Sequence, residues 1–204
     1  MKPIVVLATR NIHKIEEIKD ILKDVPVEIR SLQDFPEVPE IEETGHTFEE
    51  NALIKAETVF NLTGHWAVGD DSGLEVDALK GAPGIYSARY AGPTKSYEAN
   101  NIKLLEELSG LPASQRKAQF HCAAAIVGPD TRKVVHGILR GMITFEPRGS
   151  AGFGYDPLFI PEGYEQTLAE LGEEIKNKIS HRARAFQQVG EFLLKILQNS
   201  GMLK

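Results

Sequence analysis

Four short segments hold the residue types that bind and cut phosphates. The first is Thr9-Arg10-Asn11-Ile12-His13-Lys14. It lies between an apolar run, Pro3 to Ala8, and a stretch with Ile12, Ile15, Ile18, Ile21 and Leu22 at helical spacing. Ligands of open α/β sheets bind where strands end and helices begin, and the free N–H groups of a helix start favour an anion. Thr9 and Asn11 offer hydrogen-bond donors there, and Lys14 offers a full charge. The same residues would equally make an ordinary strand-to-helix turn capped by Asn11. The second segment is Asp70-Asp71-Ser72-Gly73, after an apolar stretch from Trp66 to Gly69. Adjacent carboxylates in an extended chain point to opposite sides, so one can face a ligand while the other ties down a loop. Hard oxygens of this kind suit Mg²⁺, which keeps several waters and bridges substrate phosphates. The alternative is an Asx-turn with Gly73 at positive φ. Glu42 and Glu43, in an acidic loop from Gln33 to His46, add a further carboxylate or form a solvated stretch.

The third segment is Gly152-Phe153-Gly154-Tyr155-Asp156-Pro157. Glycines on both sides of Phe153 leave its ring open to a ligand, and an aromatic face stacks on a base with about 1–3 kcal/mol. Asp156 would accept from a base edge or fix the loop. In the competing reading Phe153 and Tyr155 belong to the core. The fourth runs from Lys176 to Arg184 and carries four cations with His181, at an expected helix start. Cations there oppose the helix dipole, which an anionic partner would offset; otherwise they form a solvated basic patch. His65, His121 and His136 lack the spacing of a zinc site, and Cys122 reads as a small core residue. Ser72 and Ser87 lack the elbow context of acyl chemistry, and neither a G-x-G-x-x-G nor a Walker A pattern is present.

These segments need a scaffold, and the composition supplies one. The chain has 204 residues, 42% hydrophobic and 25% charged, which is ordinary for a globular protein able to bury a core without disulfides or structural metal. One cysteine excludes an internal disulfide and fits a reducing cytosol, so a cytoplasmic location is expected. Apolar runs fall far below the ~20 residues of a membrane span, and that from Ile4 to Ala8 is too short for a signal peptide. The formal net charge of −6 argues against a generic nucleic-acid binder, though local cations can still hold one small polyanion.

The pattern predicts a buried strand over 3–8, an amphipathic helix after Asn11 and a second strand over 27–31, hence a β-α-β crossover with parallel pairing. Thr47-Phe48-Glu49-Glu50 has capping-box form and opens a helix to about Leu62. A short strand covers 66–69 and another 74–79. A helix spans 97–108. Two β-rich stretches, 117–127 and 133–145, make a long hairpin around Gly128-Pro129-Asp130. A glycine-rich loop covers 148–161, and Ser180 caps a final helix to about Asn199. The sum is an α/β chain with a mixed sheet and flanking helices, read as one domain with two lobes around a central cleft.

Taken in order, Ala8 to Lys14, Thr47 to Ala52, Asp70 to Leu74, Pro83 to Tyr90, Gly152 to Pro157 and Ile179 to Arg182 resemble the motifs of the inosine triphosphate pyrophosphatase family, the Ham1-like noncanonical purine nucleoside triphosphate pyrophosphatases. The resemblance covers nearly the whole chain. Arg10 and His13 depart from its commonest pattern, standing where glycine is frequent. It implies an elongated α/β fold, a Mg²⁺ requirement, a homodimer, and hydrolysis of ITP, dITP and XTP to monophosphate and pyrophosphate. By the same resemblance, Thr9 to Lys14 hold the triphosphate, Asp71 is proton acceptor and metal ligand, and Glu43 is a second ligand. Ser72 touches substrate, while Phe153, Gly154, Tyr155, Asp156, Lys176, His181 and Arg182 hold base and sugar. A triphosphate carries about four negative charges, so it needs a divalent ion to approach Asp71. Donors from Arg182 or backbone N–H groups aimed at the 6-oxygen of hypoxanthine or xanthine would be left unpaired against adenine. Two other readings of the residues are a non-catalytic nucleotide sensor and a phosphatase for another small ester.

Overall fold

A computed structural model describes residues 2–199. The elements in chain order are β1 (Ile4–Leu7), α1 (Ile12–Ile21), β2 (Glu28–Ser31), α2 (Phe48–Thr63), β3 (Trp66–Val76), α3 (Tyr97–Glu107), β4 (Lys117–Gly128), β5 (Thr131–Ile143), β6 (Phe159–Pro161), α4 (Leu168–Leu171), α5 (Glu173–Ile179) and α6 (His181–Asn199). Six strands form one sheet in the order β2-β1-β3-β4-β5-β6. β1 pairs in parallel with β2 (Val5↔Ile29) and β3 (Val5↔Trp66), while β5 and β6 are antiparallel (Met142↔Ile160). The fold is therefore mixed α/β, as the β-α-β opening and the hairpin predict. Asp130, at φ 55, closes the two-residue turn between β4 and β5.

The described chain divides into two compact units. The first comprises the residues up to Asp71, Cys122–Gly137, and those from Arg182 onward. In it Val5 and Leu7 enter a core with Ile18 and Leu22 of α1, Cys122, Ala124 and Ile126 of β4, and Phe186, Val189 and Leu193 of α6. Val6 and Ala8 enter a second core with Val38, Val59 of α2 and Ala67. β1 is thus buried on both faces, which is why its sequence is a continuous apolar run rather than an alternation. The second unit comprises Ser72–His121 and Ile138–His181. Its core joins Leu74 and Val76 to Leu104 and Leu108, Phe120, Leu139, Ile143, Tyr155, Leu158 and Phe159.

Three expectations change. β3 does not stop at Gly69: the strand runs through Asp70-Asp71-Ser72-Gly73 to Val76, and only then turns into a 3₁₀ segment over Asp77–Leu79. The Asx-turn alternative falls with it, because Gly73 is not among the positive-φ glycines. The loop expected over 148–161 contains a 3₁₀ turn and β6, and α4 and α5 follow it. Lys176 and Lys178 lie in the last turn of α5, not at a helix start, so they complement the dipole rather than oppose it. Ser180 closes α5 and directly precedes α6.

Candidate functional site

The first cluster is built by β3 where it passes over α2. An added Cβ at Gly69 would come within 2.1 Å of the Ala52 carbonyl oxygen, so only glycine lets strand and helix approach this closely. The next two residues are carboxylates, and the pleat sends them to different partners. Asp70 accepts from Lys14 Nζ, from Arg182 Nε at 3.3 Å and from the Cys122 thiol at 3.4 Å. Arg182 also donates from Nη1 to Glu17 at 2.6 Å. Asp70, Arg182 and Glu17 are all buried. Burial opposes the charge on Asp70, but Lys14, Arg182 and Lys55 outweigh it and hold its carboxyl well below the usual carboxylate range. Arg182 is driven in the opposite sense, upward, by Asp70 and Glu17 against its own desolvation.

Asp71 is less compensated. Oδ2 accepts from Asn51 Nδ2 at 3.1 Å, and Oδ1 lies 3.4 Å from Lys55 Nζ. Desolvation exceeds the help from Lys55 and Lys14, and Glu43 adds repulsion, so the Asp71 carboxyl is pushed up. Asn51 and Lys55 sit one turn apart on the same face of α2. Asn51 Oδ1 accepts from Gly45 N at 2.8 Å, which ties the acidic loop to the site. Lys55 Nζ reaches Glu43 Oε1 at 2.9 Å, bringing that carboxylate to the same ammonium as Asp71. Lys55 is itself held above its ordinary value: burial opposes its charge, and Asp71, Glu43 and Asp70 more than compensate. Among the described residues no group of three or more His, Cys, Asp or Glu could hold a metal. Two carboxylates are what Mg²⁺ takes when water and phosphate oxygens complete its shell, so Glu43 and Asp71 fit that ion by chemistry.

The β1–α1 turn is tightly organised. Asn11 is the N-cap of α1: its Oδ1 accepts from His13 N at 3.1 Å and from Lys14 N at 3.5 Å. Thr9 Oγ1 accepts from Asn11 N at 3.1 Å. What these side chains still offer a phosphate is the Thr9 hydroxyl proton and the Asn11 amide N–H₂. Arg10 turns to the Val38 carbonyl at 2.6 Å, fastening this turn to the acidic loop. Ile12 and His13 are exposed.

The second cluster lies within the other unit. Asp156 is buried and accepts from Lys176 Nζ at 2.5 Å and from Phe153 N at 2.8 Å. Gly152, at φ 76, has Asp156 Oδ2 within 2.2 Å of where a Cβ would be, so the carboxylate closes the loop over a glycine. The Lys176 ammonium also stands 4.4 Å over the Phe153 ring. Tyr155 belongs to the core, with its hydroxyl donating to the Ser87 carbonyl at 2.9 Å. His181 is buried and stacks on Phe120 at 4.7 Å between centroids. Ser72 continues β3 beside Asp71 and is half-buried.

The structure therefore joins Lys14 and Arg182 on Asp70, Glu43 and Asp71 on Lys55, and Phe153 and Lys176 on Asp156. Asn51, Lys55 and Glu17 were not singled out by sequence reasoning, and Asp70 only as one of two adjacent carboxylates whose roles the sequence left open. For Asn51 and Lys55 a signal existed: both interrupt the apolar face made by Phe48, Ala52, Ala56 and Val59. Nothing local in the sequence marks Glu17, whose partner stands 165 positions away.

The Ham1 family model matches residues 5–192. Two relatives named dITP/XTP pyrophosphatase are similar over most of the chain. That of Bacillus licheniformis is 52% identical, covering 93% of this chain and 97% of its own. That of Geobacter sulfurreducens is 51% identical, covering 92% and 95%. Among solved structures, a HAM1 protein from Coxiella burnetii superposes with a TM-score of 0.86 at 41% identity, covering 95% of this chain and 99% of that one. The Staphylococcus aureus Ham1 protein superposes with a TM-score of 0.84 at 42% identity, covering 94% and 98%.

Proposed function

The chain belongs to the Ham1 family, and we propose from that premise that it is a nucleoside triphosphate pyrophosphatase. Its substrates are noncanonical purine nucleotides, dITP, XTP and ITP, cleaved with Mg²⁺ to the monophosphate and pyrophosphate. The observation that carries this reading is the contrast between two neighbouring carboxylates: Asp70 locked as an anion by buried cations, Asp71 left with a raised affinity for a proton. A raised carboxylate is the better general base near neutral pH.

In the proposed reaction Asp71 accepts the proton of the attacking water. The water oxygen bonds to the α-phosphorus, and the bond to the bridging oxygen breaks to release pyrophosphate. Lys14, the α1 N-terminus, Thr9 and Asn11 bind the phosphate oxygens. Arg10, Ile12 and His13 shape that turn, Arg10 through its bond to Val38. Lys55 and Asn51 orient Asp71, and Arg182 and Glu17 keep Asp70 ionised and in place. Glu43 and Asp71 would hold Mg²⁺, which when bound supplies neutralisation of phosphate charge and polarisation of a water molecule. Ser72 contacts substrate. Phe153, Gly154, Asp156, Lys176 and His181 recognise base and sugar, with Tyr155 supporting their loop from the core. By resemblance Arg182 also faces the base. Action as a homodimer in the cytoplasm belongs to the same proposal.

The test is incubation with dITP, XTP, ITP, ATP and GTP plus Mg²⁺, with products separated by chromatography. Monophosphate and pyrophosphate from the first three, at rates well above ATP and GTP, are expected. Diphosphate with free phosphate, or equal turnover of ATP, would overturn the reading.

A further inference from the structure

Phe153 and Gly154 carry the proposed contact with the nucleobase, and Asp156 fastens their loop to α5 through Lys176. Asp156 ties Phe153 N and Lys176 together, and Asp156 N bonds Phe153 O at 3.3 Å. Those bonds hold the loop from the α5 side. α3 holds it from a second helix. Asn101 Nδ2 donates to the Gly154 carbonyl at 3.1 Å. Tyr97, one turn earlier on the same helix, places its ring 5.9 Å from that of Phe153. With the Lys176 ammonium over the Phe153 ring, the phenyl group is set between a cation and a second aromatic.

α3 is itself anchored on both sides. Asn100 donates to the carbonyls of Ser87 and Ala88, both at 3.2 Å, and accepts from Ala91 N at 2.7 Å. Buried Arg116 holds the carbonyls of Leu108, Leu111 and Thr144 beyond the C-terminal end of the helix. Asn101 thus couples Gly154, in the left-handed region at φ 65, to a fixed frame. Stability alone does not account for it. Asn101 Oδ1 is buried with no partner, and an unmade bond in a buried amide works against the one bond that is made. The net contribution of the side chain to the fold is therefore small.

We propose that Asn101, assisted by Tyr97, is a positioning residue for the nucleobase: it fixes the Phe153-Gly154 backbone and so sets the affinity for the purine. The inference rests on the functional reading above and goes beyond it by assigning affinity to α3. The experiment compares the wild type with Asn101→Leu, Tyr97→Ala and Tyr97→Phe. It measures kcat and KM for dITP, calorimetric Kd for deoxyinosine monophosphate and for pyrophosphate, and the melting temperature. Asn101→Leu and Tyr97→Ala raise KM and the monophosphate Kd by about three- to tenfold, the loss of one hydrogen bond's worth of positioning. They leave kcat and the pyrophosphate Kd within about twofold, and Asn101→Leu melts no lower than the wild type. Tyr97→Phe, which keeps the ring contact, restores wild-type values. Changes below about twofold in both KM and monophosphate Kd overturn the inference. So does a parallel loss of pyrophosphate binding, which would mark general damage. If the wild type binds the monophosphate but does not cleave dITP, the functional reading falls and the Kd ratio still judges Asn101. If it binds no monophosphate, both fall.

Discussion

Replacing Arg182 with methionine keeps most of the side chain's length and removes its charge. In the native protein Arg182 Nη1 lies 2.6 Å from Glu17 and Nε 3.3 Å from Asp70, and the side chains of both carboxylates are no more than 10% exposed. Asp70 would keep Lys14, but Glu17 would lose its guanidinium donor in a buried position. Breaking a buried pair from one side costs about 3–5 kcal/mol, because a charge stays behind without its partner. For a chain of this size that lowers the melting temperature by about 6–20 °C. Two controls separate this cause from lost packing. Glu17→Gln added to Arg182→Met should recover part of the loss, giving a coupling energy well above the error of a double-mutant cycle. The deficit should also depend on pH. The folded-state affinity of Asp70 for a proton is depressed, so its stabilisation is present above the ordinary carboxylate value and lost as pH falls through the folded value. Arg182 contributes to that depression, so the gap between wild type and variant is widest near neutral pH and narrows below about pH 4. Calorimetric melting at pH 7 and at about pH 2.5 measures both. A variant melting within a few degrees of wild type at pH 7, or a gap that does not narrow in acid, would refute the account.

Three further outcomes follow from the first cluster. Asp71→Asn should lower kcat for dITP by about 10²–10⁴, the range of a lost general base, with an unchanged circular dichroism spectrum; near-normal turnover removes Asp71 from its role. Mg²⁺ at a hundredfold excess over its Kd should stabilise the wild type by about 2.7 kcal/mol. Thermal melting should show that gain lost in Asp71→Asn and in Glu43→Gln, and a gain retained in both variants places the ion elsewhere. Gly69→Ala should destabilise by about 3 kcal/mol, the upper end of overpacking, since its Cβ would meet helix backbone rather than a flexible side chain; denaturant titration measures this, and a loss under about 1 kcal/mol would show that α2 and β3 can separate.

Much of the scaffold is legible in the residues because its signals are local. The Asn11 cap, the opening of α2 at Thr47 and the apolar face of α6 depend on neighbours within a turn, and all three are present. What escapes is decided by distant partners. A glycine after two aspartates and a serine reads locally as a turn, yet β3 continues through Gly73 because Leu74 and Val76 have a core to enter. α5 escapes for a related reason: it is seven residues long, and its buried residue, Lys176, is drawn inward by Asp156 across 20 positions. At the candidate site, Lys14, Asp71, Glu43 and Asp156 are visible by type and context. Lys55 and Asn51, which act on the charge of Asp71, and Glu17, which acts on that of Arg182, stand out only once the helices are placed.

That dependence explains why two adjacent aspartates need a strand beneath them. In a turn, both carboxylates would reach water, and neither would depart far from ordinary acidity. A strand forces successive side chains to opposite sides, so chemically identical groups meet different neighbours one residue apart. Asp70 meets two cations, a thiol and no solvent, and becomes a fixed anion around which Lys14 and Arg182 are set. Asp71 meets an amide, one shared ammonium and a competing glutamate, and keeps an appetite for positive charge that its own surroundings do not satisfy. A divalent ion and a proton are the two species that would satisfy it. The close approach at Gly69 is what holds β3 against α2, and through Asn51 and Lys55 it is also what makes that difference.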